Sequence, residues 1–186
     1  MIAATAHDLL YPLTLFWAAN GHALPAWEAI EGEAMPRPYR DLLVHRGDMT
    51  SRLEAFHRGD IVIEMLHREH SAAAYRREVV LRIESTGLAV EYGAIEIELS
   101  AFEEEVRRQI LEEHLPLGGL LNRFEITYRS EPRAFIRLGE DAVMQGVFET
   151  PDAVEFFGRC NVLRGGDDRV LARIVEVLRP LEITKP

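Results

Sequence analysis

The stretch Tyr75-Arg-Arg-Glu-Val-Val-Leu-Arg-Ile-Glu84 constrains this chain more than any other. Read as a strand, its side chains alternate between two faces. One face carries Tyr75, Arg77, Val79, Leu81 and Ile83, and the other carries Arg76, Glu78, Val80, Arg82 and Glu84. The first face is apolar except for one arginine. A guanidinium does not give up its proton, and an uncompensated buried charge costs on the order of several kcal/mol, so Arg77 requires an anion.

The same irregularity returns near the C-terminus with the opposite sign. In Val170-Leu-Ala-Arg-Ile-Val-Glu-Val-Leu178, one face is Val170, Ala172, Ile174, Glu176 and Leu178. Two readings follow. One is a buried Arg77–Glu176 salt bridge. The other is a closed, mostly apolar pocket that offers one cation and one carboxyl group to a small acid.

Composition narrows the class. With 47% hydrophobic residues among 186, the chain has material for a full core, and residues 1–186 read as one globular domain with 1–38 as an N-terminal packing segment. The net charge of −10, from 31 acids against 21 bases, argues against a nucleic-acid partner, whose binding relies on clustered Lys and Arg. It does not exclude an anionic small molecule, because a local site can oppose the global charge. The single cysteine, Cys160, excludes an internal disulfide and a cysteine-rich metal site, and reads as a small core residue. The apolar run Leu9–Ala19 lacks the basic start of a signal peptide: no Lys or Arg precedes Arg37, and Pro12 interrupts the run. It is too short to span a bilayer, so the sequence reads as a cytoplasmic protein without stable membrane insertion.

The remaining periodicities predict an α+β fold. Residues 1–40 read as one or two short helices and an irregular connection. Arg40–His45 reads as a short helix. Asp48 caps a second helix, in which Met49, Leu53 and Phe56 repeat at helical spacing. Strands are predicted at Ile61–Glu69, Tyr75–Glu84 and Leu88–Leu99, the last with a bulge near Gly93-Ala94 where its apolar phase switches. A charged helix with Phe102, Val106 and Ile110 on one face follows. A further helix starts near Pro116, and Phe124–Tyr128 and Arg133–Leu138 form two strands across a Ser130-Glu-Pro132 turn. A loop or short helix covers Gly139–Ala153, and Val154–Arg164 pairs with Val170–Leu178 as a closing hairpin. The sum is a mainly antiparallel sheet of about six strands with helical flaps over one face or its rim, enclosing a buried ligand site.

Chemical motifs are few. His67 and His70, three apart in a strand, fall on opposite faces and lack partners for a metal. Leu117-Gly-Gly119 lacks the Lys-Ser/Thr of a phosphate loop, and no nucleophile elbow or Cys/His pair appears. Two helix starts remain, at Met49 after Asp48 and at Leu117 after Pro116. Their free backbone N–H groups suit a carboxylate if they lie beside Arg77.

Asp48-Met-Thr-Ser-Arg-Leu-Glu54, Tyr75-Arg-Arg-Glu78, His114-Leu-Pro-Leu-Gly118 and Glu176-Val-Leu-Arg-Pro180 occur in an order and spacing that resembles the chorismate lyase family. Ala134–Asp141 and Gly158-Arg159 look like that family's late region, and the resemblance covers roughly residues 39–180. It implies a chorismate lyase-like fold and a cofactor-free, metal-free carbon–oxygen lyase that converts chorismate to 4-hydroxybenzoate and pyruvate. It also implies that Arg77 grips the ring carboxylate with the amides of Met49 and Leu117. Glu176 then meets the ring hydroxyl, as a neutral donor in apolar surroundings. Arg77 and Glu176 are thus the catalytic pair.

Two departures stand against the resemblance. Ala94 replaces the arginine that lyases of the family place after the strand glycine, which leaves Arg76, Arg123 or His45 to meet a second carboxylate. An insertion also surrounds Glu149–Phe156. The alternatives are a related enzyme acting on another small carboxylic acid, or a non-catalytic binder of an aromatic carboxylate. The latter is the role this scaffold has as the effector domain of some bacterial repressors.

Overall fold

Long apolar alternations broken by Gly and Asp turns give this chain a sheet. The structure, a computed structural model, describes residues 9–71 and 74–183. Its strands are β1 (Trp27–Ile30), β2 (Ile61–His70), β3 (Ala74–Ile83), β4 (Ala89–Glu98), β5 (Tyr128–Gly139), β6 (Glu155–Gly165) and β7 (Val170–Leu178). They form one sheet in the order β1-β5-β6-β7-β4-β3-β2, antiparallel at every step. β1 and β2 are its two edges and do not meet, so the sheet is open.

Helices cover both faces, not one. α1 (Leu13–Ala19) and α6 (Ala142–Phe148) lie on one side, where Phe16, Trp17, Met144 and Phe148 pack with Val80, Tyr92, Val175 and Val177. α2 (Tyr39–Leu43), α3 (Met49–His57), α4 (Glu104–Leu111) and α5 (Leu117–Arg123) lie on the other. The helices on this second face build two separate apolar clusters. α4 and α5 pack Val106, Ile110 and Leu121 against Tyr75, Ile97 and Ala172. α2 and α3 pack Leu43 and Leu53 against Leu81, Ile83, Phe157 and Leu178. A seam runs across the sheet between the two clusters.

Four expectations change. The sheet has seven strands where about six were expected, because Trp27–Ile30, expected to be irregular, pairs with β5 from Trp27↔Leu138 to Ile30↔Phe135. The two strands expected at Phe124–Tyr128 and Arg133–Leu138 are one strand. Pro132, which cannot donate to a ladder, is accommodated at a register shift between Pro132 and Ala134 instead of marking a turn. No bulge lies at Gly93-Ala94, where the register to both neighbours is unbroken. The shift lies where Leu81 pairs with Glu91 and Arg82 with Ala89, so Val90 is the extra residue and Val90 and Glu91 share a face. Lastly, the face of β3 that alternation leaves to solvent is covered. Glu78 accepts from the Tyr92 hydroxyl, which in turn accepts from Trp17 Nε1 at 2.6 Å. Arg76 Nε donates to Glu96 at 2.7 Å.

β7 lies between two glycines. A Cβ at Gly93 would meet the Val175 carbonyl oxygen at 2.1 Å, and one at Gly158 the Glu176 carbonyl oxygen at 2.4 Å. Neither contact is relieved by turning a side chain, because both neighbours are backbone. Gly93→Ala is therefore expected to destabilise the fold by about 3 kcal/mol or more, read as a fall in the chemical-denaturation midpoint. An alanine variant within about 0.5 kcal/mol of wild type would show that β4 and β7 are not drawn together as described.

Candidate ligand-binding site

The seam between the two apolar clusters is where side chains of the central strands stop being apolar. On β3 the row runs Tyr75, Arg77, Val79, Leu81, and on β7 it runs Ala172, Ile174, Glu176, Leu178. On β6 it runs Leu163, Asn161, Arg159, Phe157, and on β4 Ile95, Gly93, Glu91, Val90. Each row is apolar at both ends and polar in the middle. The polar middles of four adjacent strands form a belt along the seam, and a cavity opens above it. Arg77, Glu91, Arg159, Asn161 and Glu176 line the cavity, together with apolar walls that include Ile63, Val79 and Leu163.

Two helix starts close the cavity from above. Asp48 caps α3 by accepting from Ser51 N at 2.7 Å, and Pro116 precedes α5. The two starts touch: a Cβ at Gly118 would lie 3.0 Å from Asp48 Cβ, so glycine there permits the approach. Met49 and Leu117 are both buried and both line the cavity, and their N–H groups have no intrahelical acceptor. The four residues singled out in the sequence, Arg77, Glu176, Met49 and Leu117, thus come together in one cavity.

Their pairing differs from expectation. Glu176 is not the partner of Arg77. It faces Arg159 across the β6–β7 register, and Arg159 Nε donates to its carboxylate. Arg159 Nη1 continues to the carbonyl oxygens of Leu43 at 3.4 Å and His45 at 3.3 Å, so this guanidinium joins the sheet to the turn between α2 and α3. Glu176 is therefore the acceptor of a hydrogen bond from Arg159, where the resemblance implied a donor to a ring hydroxyl. Arg76 and Arg123 are outside the cavity, Arg76 being held by Glu96 on the opposite face. His45 reaches the site only through Arg159, with its Nε2 3.3 Å from Arg159 Nη1.

Arg77 is left without a carboxylate. It is 1% exposed, its Nη2 donates to the Leu115 carbonyl oxygen at 3.4 Å, and its Nε and Nη1 have no partner. Burial lowers its pKa, opposed by Tyr75 and by Glu113 at the rim, where Glu113 accepts from the Tyr75 hydroxyl and from Arg68. Glu91 is the second unsatisfied group: its Oε2 is buried without a partner. Among the described residues, five buried side-chain polar atoms lack a partner, and the three that are not threonine hydroxyls belong to Arg77 and Glu91. Burial, and then the nearby Glu176 carboxylate, push the Glu91 pKa well above the ordinary value, with Arg159 opposing.

Sequence reading missed Arg159 and Glu91. Arg159 carries the same signal as Arg77, one charge in the apolar row Phe157, Arg159, Asn161, Leu163. Glu91 gave no such signal, because the displaced bulge put it on the face assigned to solvent. Cys160 is buried, with its thiol pushed up to about 12 by desolvation, so it is a core residue and no nucleophile. No three His, Cys, Asp or Glu side chains among the described residues are placed to hold a metal ion, and none of the described helices is long and apolar enough to cross a membrane.

No protein-family model matches the chain, and no curated protein matches it. Solved structures do. The effector domain of PhnF from Mycobacterium smegmatis aligns at TM-score 0.58 and 14% identity, over 74% of this chain and 91% of that one. A second PhnF structure from the same organism aligns at TM-score 0.57 and 13% identity, over 76% of this chain and 67% of that one. A possible transcriptional regulator, YydK from Bacillus subtilis subsp. subtilis str. 168, aligns at TM-score 0.50 and 6% identity, over 68% and 63%. Regulators described as GntR-family align at lower scores. At these identities the likeness is one of fold.

These findings overturn the lyase reading. The fold is an open antiparallel sheet with flanking helices, shared with the PhnF effector domain, and it replaces the chorismate lyase-like architecture. Recognition as a chorismate lyase, turnover of chorismate to 4-hydroxybenzoate and pyruvate, and the catalytic roles of Arg77 and Glu176 are withdrawn with it. The exclusion of a nucleic-acid partner is corrected too, because the fold is shared with a possible transcriptional regulator, YydK. A cytoplasmic location is broadly consistent with such a regulator.

The two perturbed groups make opposite predictions for stability. His45 is lowered from 6.5 to about 4 by burial and by Arg159, so its contribution is full above pH 6.5 and is lost as pH falls toward 4. Glu91 is raised, so its contribution is full below the ordinary carboxyl value and is lost as pH rises. Glu91→Gln is expected to be more stable than wild type at pH 8, because the amide has no charge to desolvate beside Glu176, with the gain shrinking toward pH 4. His45→Gln is expected to flatten the acid limb. Urea denaturation across pH 4–8 checks both, and a Glu91→Gln gain that grows on acidification would contradict the assignment.

Proposed function

We propose that this chain is a non-catalytic, small-molecule effector-binding domain whose cavity takes a small organic acid. One observation carries the reading. Arg77 is fully buried at the cavity wall with two of its three guanidinium nitrogens unpartnered, while Arg159, the other cavity guanidinium, has its own carboxylate. A buried cation without a counter-ion is destabilising on its own and becomes favourable when an anion enters. In this proposal the ligand's carboxylate lies against Arg77, and the N–H groups of Met49 and Leu117 at the two helix starts face the same end. The Arg159–Glu176 pair forms the floor, and the apolar walls hold the ligand's carbon skeleton.

The fold supports the same reading, since it is shared with the PhnF effector domain. The proposal includes a nucleic-acid partner, reached through a DNA-binding module that works with this domain. The domain's own acidic surface is unsuited to DNA. Coupling then depends on the ligand shifting the helix starts that close over it.

The test is binding of benzoate and hexanoate by calorimetry. Wild type is expected to bind at least one of them, and Arg77→Met is expected to lose about 100-fold or more in affinity, as for truncating one partner of a buried charge pair. Arg77→Met is also expected to raise the denaturation midpoint of the unliganded protein, because it removes the uncompensated charge. Unchanged affinity in the variant would remove the basis of the assignment.

A further inference from the structure

Resting on that reading of the cavity, we infer that Glu91 is a second recognition group that selects a ligand with an uncharged hydroxyl or carbonyl at the end remote from its carboxylate. The ligand class is then a hydroxy or oxo acid, not an amino acid. Three carboxyl groups line the cavity, Asp48, Glu91 and Glu176, and two guanidinium groups, Arg77 and Arg159. Asp48 accepts from Ser51 N at 2.7 Å and from Asn122 Nδ2 at 3.4 Å. Arg159 gives its Nε to Glu176, and its Nη1 lies against the Leu43 and His45 carbonyl oxygens. Asn161 is spent on Ser130, to whose hydroxyl its Nδ2 donates at 2.9 Å. Glu91 Oε2 is left with no donor, at 5% exposure, on the cavity wall.

A carboxyl group so placed is shifted toward its neutral form by burial and by the Glu176 charge beside it, with Arg159 opposing. A neutral carboxyl has one O–H donor and retains acceptor capacity, so it satisfies a hydroxyl or a carbonyl without any change of charge. A ligand ammonium would demand the ionised form, against both influences. The register sets the ligand's length. Arg77 pairs with Ile95, four residues along β4 from Glu91, a Cα separation of about 13 Å at the ordinary rise per residue. Both side chains line the one cavity, so the two polar groups of the ligand belong at its opposite ends.

A homologous series tests this: hexanoate, 6-hydroxyhexanoate and 6-aminohexanoate, titrated by calorimetry into wild type, Arg77→Met, Glu91→Gln and Glu91→Leu. The flexible chain lets each acid reach both groups. The expected result is Arg77-dependent binding of hexanoate, with 6-hydroxyhexanoate about tenfold tighter in wild type and in Glu91→Gln, the gain of one added hydrogen bond. In Glu91→Leu that ratio is expected to fall to about one. Because the ratio is taken within each variant, a partly destabilised Glu91→Leu still reports. Repeating the 6-hydroxyhexanoate titration in two buffers of different ionisation enthalpy is expected to show no proton exchange. Equal binding of hexanoate and 6-hydroxyhexanoate overturns the Glu91 inference and leaves the acid-binding site standing, as does tightest binding of 6-aminohexanoate with proton release. Failure of all three acids to bind overturns the site and this inference together.

Discussion

An ion pair inside a sheet covered on both faces dictates how the rest of this domain is arranged. Arg159 and Glu176 face one another on β6 and the central strand β7, and both are buried. Such a pair is sustained only where its remaining hydrogen-bonding capacity is met. Arg159 meets it by reaching the backbone of the turn between α2 and α3, which fixes where α3 begins. α3 begins against α5 at Gly118, and together the two helices close over the seam. The cavity is thus the space that remains when two apolar clusters are held apart by a charged belt that neither can absorb.

Within that belt the charges do not cancel. Arg159 and Glu176 form a complete unit, whereas Arg77 and Glu91 each retain unsatisfied polar atoms. A fold optimised for stability alone would carry leucine or methionine at such positions. Their presence places a specific cost at one point, and the acid-binding proposal gives that cost a purpose. The opposed perturbations of His45 and Glu91 follow from the same geometry: a base crowded by a guanidinium and an acid crowded by a carboxylate.

Much of this was legible in the sequence, because alternation marks a charge on a buried face whatever its eventual partner. Arg77 and Glu176 were visible in that way, and the helix start capped by Asp48 from its position before Met49. Partner identity was not legible, since alternation assigns faces without saying which strands are neighbours. Arg77 and Glu176 therefore looked like complements, although β3 and β7 are separated by β4. Glu91 was hidden by a one-residue register shift at Val90, and β1 by its brevity, four residues with two exposed. The likeness to a lyase arose from the segments that build the cavity: two helix starts and two strands with inward charges. Those segments mark how a pocket is constructed and are silent on whether a bond is broken inside it.

The two glycines that flank β7 bear on how this domain can diversify. No side chain fits at Gly93 or Gly158, since each faces carbonyl oxygen of the strand between them. Substitution at the floor therefore damages the sheet before it reshapes the cavity. The walls are under no such restriction where Ile63 and Val79 line the space from β2 and β3, strands that contain no glycine. Changes of ligand preference in descendants of this sequence should accumulate on the walls, over a floor that mutation leaves alone.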